Sequence, residues 1–193
     1  LSSIFNYGIR QEWCDRNPVS AIETPHIIEK PIEPLTLEEV ERLERAAERP
    51  EHQEMQLSLK LMLYCGIRPT EVTRIDPLRD IVGDELIIRP QTSKTGGGRV
   101  VPLRKVAPFV RRHRRTLTIP HRWEQRWRAL RRAARFPRWQ ADACRHTFAT
   151  YHARHFRDLT ALQLEMGHTT PRLLHSRYLS PIGQNTARRF WNR

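Results

Sequence analysis

The sequence predicts a mainly α chain, of α+β class, carrying one small antiparallel β-sheet. Three observations predict it. Apolar residues recur at three- and four-residue spacing through most of the chain, the pattern of helices with one buried face. The period shortens towards two only within residues 84–103, around Gly96-Gly97-Gly98. Capping and stopping residues stand where the helical stretches begin and end.

Residues 1–16 read as a helix, with Ile4, Phe5, Ile9 and Trp13 on one apolar face. Asn17-Pro18 is expected to end it, because the residue before proline avoids the helical region. The stretch that follows is rich in proline and poor in pattern, and residues 23–34 read as a linker. A lone helix before such a linker has no core of its own. Residues 1–22 are therefore read as the last helix of a preceding domain, and residues 35–193 as the main domain. The chain opens on Leu1, so its natural start is expected to lie outside it, and the sequence does not speak to targeting.

Thr36-Leu37-Glu38-Glu39 is a capping box ahead of a helix whose face is Leu37, Val40, Leu43 and Ala47. Residues 52–64 make a second helix, with Met55, Leu57, Leu59, Leu61, Met62 and Leu63 expected inside. Gly66 is placed to stop it and Pro69 to open the next short helix. Residues 85–88 and 99–103 are strand candidates joined through the glycine turn. Helical patterns return at about 104–116, 121–135, 143–156 and 158–166, and residues 184–193 read as a short basic helix. Phe190 and Trp191 in that last helix would either anchor on a neighbouring subunit or close their own core.

Charge narrows the function. Lys and Arg number 34 against 21 acidic residues, a net +13 with neutral histidine. Such a field attracts polyanions, because neutralising phosphates releases condensed counterions. Arginine supplies most of the excess, and its planar fork suits phosphate oxygens. The arginine runs at 111–115 and 131–135 read in part as solvated helix faces. The cysteines Cys14, Cys65 and Cys144 show neither metal spacing nor a paired framework and read as reduced. No apolar run is long enough to span a bilayer, no carboxylate cluster would bind Mg²⁺, and no phosphate loop for ATP is present.

Three segments carry chemistry: Gly66-Ile67-Arg68-Pro69-Thr70-Glu71, then Asp142-Ala143-Cys144-Arg145-His146-Thr147-Phe148-Ala149, then Gly167-His168 followed by Tyr178. Taken in order they resemble the signature of the tyrosine recombinase (phage integrase) family, over roughly residues 36–180. The interval from Arg145 to His168 matches that family's usual spacing. Tyr178 lies one residue further from His168 than is commonest, as in an integrase-like bacterial sub-group with His-x-x-Pro before the tyrosine, and His168-Thr169-Thr170-Pro171 fits that form.

The resemblance implies a helical recombinase catalytic domain with a small antiparallel sheet, preceded by a core-binding domain of which residues 1–22 are the end. It implies that Arg68 and Arg145 hold the non-bridging oxygens of a phosphodiester, and that His168 donates to the same phosphate. Tyr178 would be the nucleophile, forming a 3′-phosphotyrosine and freeing a 5′-hydroxyl. Lys94, on the hairpin, would protonate that leaving oxygen. Lysine is rare in this chain, and only lysine of the two basic residue types can give up its proton. Glu71 is expected to support the site. For Arg68 the bland alternative is a surface ion pair with Glu71, and for Tyr64 and Tyr151 burial in the core.

Asp142 departs from the family, which usually has histidine there. It would either accept a proton and orient Arg145, or cap the helix that starts at residue 143. No cofactor is implied, because the phosphotyrosyl link conserves the bond energy and Arg, His and Lys stand in for metal ions. The implied partner is double-stranded DNA, bound as a homotetramer by a protein monomeric when free. The implied setting is a bacterial cytoplasm, at the nucleoid and away from membranes. Three other readings stay open: a remnant that only binds DNA, a type IB topoisomerase, and a basic RNA-binding protein.

Overall fold

The computed structural model describes residues 1–23, 33–93, 96–167 and 181–192. The chain divides into two compact units, Leu1–Pro31 and Ile32–Arg193. Among the described residues no helix is long and apolar enough to cross a membrane.

In the first unit, α1 (Ser2–Arg10) stops well short of residue 16. Glu12 takes a left-handed backbone at φ 58°, and the Trp13 amide donates to the Gly8 carbonyl at 2.9 Å. The chain thereby turns back before Asn17. The Asn17 side chain then donates to Ser2 Oγ at 2.9 Å and Asn6 Oδ1 at 2.7 Å, tying the turn to the first helical residues. Asn17-Pro18 thus opens a short 3₁₀ turn, Pro18–Ala21, where it was expected to close a helix. Ile4 and Trp13, two members of the expected apolar face, are exposed.

The second unit begins with α2 (Leu37–Ala47), whose capping box forms as expected: Thr36 Oγ1 accepts from the Glu39 amide at 3.2 Å, and Glu39 Oε2 from the Thr36 amide at 2.9 Å. The next helical stretch is not uniform. Pro50–Met55 is a 3₁₀ turn and only α3 (Gln56–Tyr64) is α-helical. Arg49 is extended ahead of Pro50, so the chain re-enters helix through a tight turn. The six apolar side chains expected inside are all buried. Because α3 is apolar on nearly every side, it runs through the middle of the unit. Gly66 closes it in a left-handed conformation, with the Ile67 amide donating to the Leu61 carbonyl at 3.2 Å.

Short helices α4 (Pro69–Val72) and α5 (Pro77–Asp80) lead into the sheet, each with proline in its first turn. The sheet is antiparallel in the order β1 (Ile81–Val82), β2 (Glu85–Ile88), β3 (Arg99–Pro102). β1 was not expected. In β2 and β3 the register pairs Leu86 with Val101 and Ile88 with Arg99. Then come α6 (Ala107–His113), α7 (Trp123–Ala133), α8 (Ala143–Phe156), α9 (Leu159–Met166) and, after the undescribed residues, α10 (Gln184–Asn192). All fall within the helical stretches read from the sequence.

α8 lies on α3, and α10 covers α8. Phe190 stacks on Tyr151 with ring centroids 4.3 Å apart, and Trp191 Nε1 donates to the Tyr151 carbonyl at 3.3 Å. Phe190 and Trp191 therefore close the core of their own chain. Tyr64 and Tyr151 are buried, as expected.

His152 is locked in this aromatic layer beside Phe148, Phe156 and Trp191. Among the described residues neither ring nitrogen has a hydrogen-bond partner. Its Nε2 lies 3.6 Å from Glu165 Oε2, but burial, reinforced by the Arg104 charge, pushes the imidazole pKa down to about 3, so the contact is not an ion pair. A base with a depressed folded pKa binds fewer protons folded than unfolded, so stability falls as pH drops from 6.5 towards 3. Between pH 7 and pH 5 this residue is expected to cost about 2 kcal/mol. Urea midpoints at the two pH values check it, and His152→Phe should flatten the difference.

Candidate active site

Arg68 stands just before α4, and its backbone is extended because Pro69 follows. That geometry turns its side chain back towards the end of α9. Arg145 lies in the first turn of α8, and despite its charge it is only 2% exposed. Its Nη1 donates to the Gly66 carbonyl and its Nη2 to the Met166 carbonyl at 2.6 Å. These carbonyls lie at the C-terminal ends of α3 and α9, where helix dipoles concentrate negative charge and favour a buried cation.

Arg68 Nη1 donates to the same Met166 carbonyl at 3.4 Å. Two guanidiniums, far apart in sequence, therefore converge on one oxygen. The sequence-predicted pair, Arg68 and Arg145, is brought together. The alternative for Arg68 is met in part, since its Nη1 also reaches Glu71 Oε1 at 3.3 Å. That pair is not on the surface, because the Glu71 side chain is fully buried. Burial by itself would raise the Glu71 carboxyl, but hydrogen bonds and charge from Arg99, with help from Arg68, hold it below its ordinary value.

Asp142 takes the N-cap position of α8, yet its side chain makes no capping bond. At φ 58° and ψ 16° its backbone is left-handed, whereas a capping residue is ordinarily extended, so its carboxylate does not meet the helix amides. The capping role is thereby corrected. Asp142 is exposed and lines, with Arg145 and Trp139, a small cavity at the start of α8. Lys94, His168 and Tyr178 lie outside the described residues.

Sequence reasoning missed three charged residues packed around this pair. Arg99 donates from both Nη atoms to Glu71, at 3.0 and 2.7 Å, and from Nε to the Glu165 carbonyl at 2.7 Å. Arg104 grips the Glu165 carboxylate through both its Nη atoms, at 2.7 and 2.5 Å. Four arginines thus fix Glu165 and Met166, which directly precede Gly167-His168 in sequence. One signal was available. Arg99 falls in step with Val101 and Leu103 on the buried face of the strand, and a buried arginine must find a carboxylate or carbonyls.

Neither a model of a known protein family nor a curated protein matches the sequence. Solved structures do. The chain is similar to XerA recombinase, at a TM-score of 0.61 and 19% identity, over 98% of this chain and 73% of that one. It is similar to lambda integrase in a dimer bound to a COC′ core site, at a TM-score of 0.69 and 17% identity, over 94% and 73%. It is also similar to the Tn1549 transposon integrase in complex with circular intermediate DNA, at a TM-score of 0.59 and 16% identity, over 100% and 76%. The chain therefore has the fold of the tyrosine-type recombinases and integrases that its motifs resemble.

Proposed function

We propose that this chain is a site-specific DNA recombinase or integrase of the tyrosine type, with residues 35–193 as its catalytic domain and residues 1–22 as the end of a core-binding domain. The observation that carries the reading is the meeting of Arg68 and Arg145 around a single oxygen. A phosphodiester under attack gathers charge on its two non-bridging oxygens, and fixed bidentate donors at that point stabilise charge as it develops. Among the described residues one carboxylate, Glu71, lies between Arg68 and Arg99, so the group of Arg68, Arg99 and Arg145 carries a net positive charge that favours an anion.

In this reading the Tyr178 oxygen forms a bond to phosphorus as the bond to the 5′-oxygen breaks. Lys94 delivers a proton to the leaving oxygen, and His168 donates to the phosphate. Asp142, whose side chain makes no capping bond to α8, is left to receive the phenolic proton or to orient Arg145. Attack by a 5′-hydroxyl on the phosphotyrosine reverses the step and joins strands, so no external energy source is required. Double-stranded DNA is the partner, drawn by the net charge of +13, and recombination would proceed in a homotetramer on two DNA sites.

The test uses a pool of nicked duplexes with randomised sequence around the nick. The short fragment beyond the cut diffuses away and traps any covalent complex. The wild-type protein is expected to give denaturant-resistant DNA adducts, and Tyr178→Phe none. Adducts that persist in Tyr178→Phe, or none from the wild type, would sink the enzymatic reading. Salt-sensitive binding without adducts would indicate a remnant that only binds DNA.

A further inference from the structure

We infer that Arg99 is a positioning residue, holding Glu71 and the end of α9 so that Arg68 keeps its place beside Arg145. The inference rests on the recombinase reading for its catalytic consequence, but its geometry stands on its own.

Arg99 is almost fully buried, and its Nε and both Nη atoms are committed. It grips both carboxylate oxygens of Glu71 at 3.0 and 2.7 Å, whereas Arg68 reaches only one of them, at 3.3 Å. Arg99 is thus the stronger partner of Glu71, and Arg68 leans on a carboxylate that Arg99 has already oriented. The Arg68 amide also donates to Glu71 Oε2 at 3.2 Å, so the backbone of Arg68 is held by the same group. The third contact, Nε to the Glu165 carbonyl, ties β3 to α9 one residue before the carbonyl that Arg68 and Arg145 share. The guanidinium end of Arg99 packs against Gly167, where an added Cβ would sit 3.2 Å from Arg99 Cδ and 3.3 Å from its Nη1. One side chain thereby fixes the three segments whose meeting makes the site: the strand, the turn carrying Arg68, and the end of α9.

Lysine at this position would keep the charge and the aliphatic stem but lose the fork, so it cannot span Glu71 and the carbonyl together. Arg99→Lys is therefore the main variant, with Arg99→Gln beside it. The first readout needs no DNA. With arginine side chains isotopically labelled, the rotation of the Arg68 guanidinium is followed by NMR in the free protein. It is expected to be slow in the wild type and clearly faster in both variants. The second readout is the single-turnover rate of adduct formation at saturating DNA, using a duplex recovered from the randomised pool. Arg99→Lys is expected to lower that rate by about a hundredfold. The same change in an Arg68→Ala background should have almost no further effect, because Arg99 acts through Arg68.

A purely structural role predicts otherwise: losses that multiply with those of Arg68→Ala, and an Arg68 signal unmoved in a folded variant. Either result overturns the inference. Loosening of Arg68 together with no adduct from the wild type would uphold the role of Arg99 and overturn the recombinase reading instead.

Discussion

Arg145→Lys is expected to slow covalent adduct formation by about 10²–10³-fold, with little change in affinity for DNA. Arg145 presents two nitrogens to two main-chain carbonyls at once, those of Gly66 and Met166. A lysine ammonium at the end of a flexible stem can satisfy one of them, and it cannot hold a phosphate in the planar, two-point manner of a guanidinium. The net charge is unchanged, so the long-range pull on DNA and its salt dependence should stay as they were. One carbonyl left unsatisfied in a buried place costs about 1–3 kcal/mol, so the variant should remain folded but less stable. Adduct rates at saturating DNA, compared with binding titrations at two salt concentrations, check the separation. A variant that binds weakly but reacts normally once bound would contradict the role given to Arg145.

The largest effect on stability is expected at Gly66. This residue ends α3 at φ +63°, where an L side chain is strained. A Cβ there would also stand 2.3 Å from Cδ1 and 2.7 Å from Cε1 of Phe148. Phe148 is fully buried on α8 and has nowhere to retreat. The backbone penalty and the forced repacking together are expected to cost about 2–5 kcal/mol in Gly66→Ala. Gly83 supplies the comparison, because it has a similar φ of +58° and open space around the same position. Gly83→Ala should therefore show only the backbone part, about 1–2 kcal/mol. Urea unfolding of the two variants isolates the clash, and equal losses would show that Phe148 yields. Because the Gly66 carbonyl accepts from Arg145, any shift of this turn also moves the site.

Most helices were legible because their signals are local. The capping box at Thr36, the glycine stop at Gly66 and proline in the first turn of α4 act within a few residues, and each formed as read. The end of α1 was not legible, since it depends on Glu12 turning left-handed and on Asn17 bonding back to Ser2 and Asn6. Asp142 looked like an ordinary helix cap by residue type and position. Its left-handed backbone, which the residue type does not dictate, removed it from that role.

The candidate site divides in the same way. Arg68 and Arg145 could be named from the order of short motifs, because each motif is a contiguous string with its own turn or helix start. Which groups would surround them could not. Nothing near Arg99 in the chain points to Glu71 or Glu165, and the pairing exists only because β3, α4 and α9 pack together. The role of α10 was likewise settled by the seating of Phe190 and Trp191 on α8. Backbone hydrogen bonds and caps are closed by neighbours along the chain, so residue order reveals them. A buried charge takes whichever partner the packed core leaves within hydrogen-bond reach, and that choice is made in three dimensions.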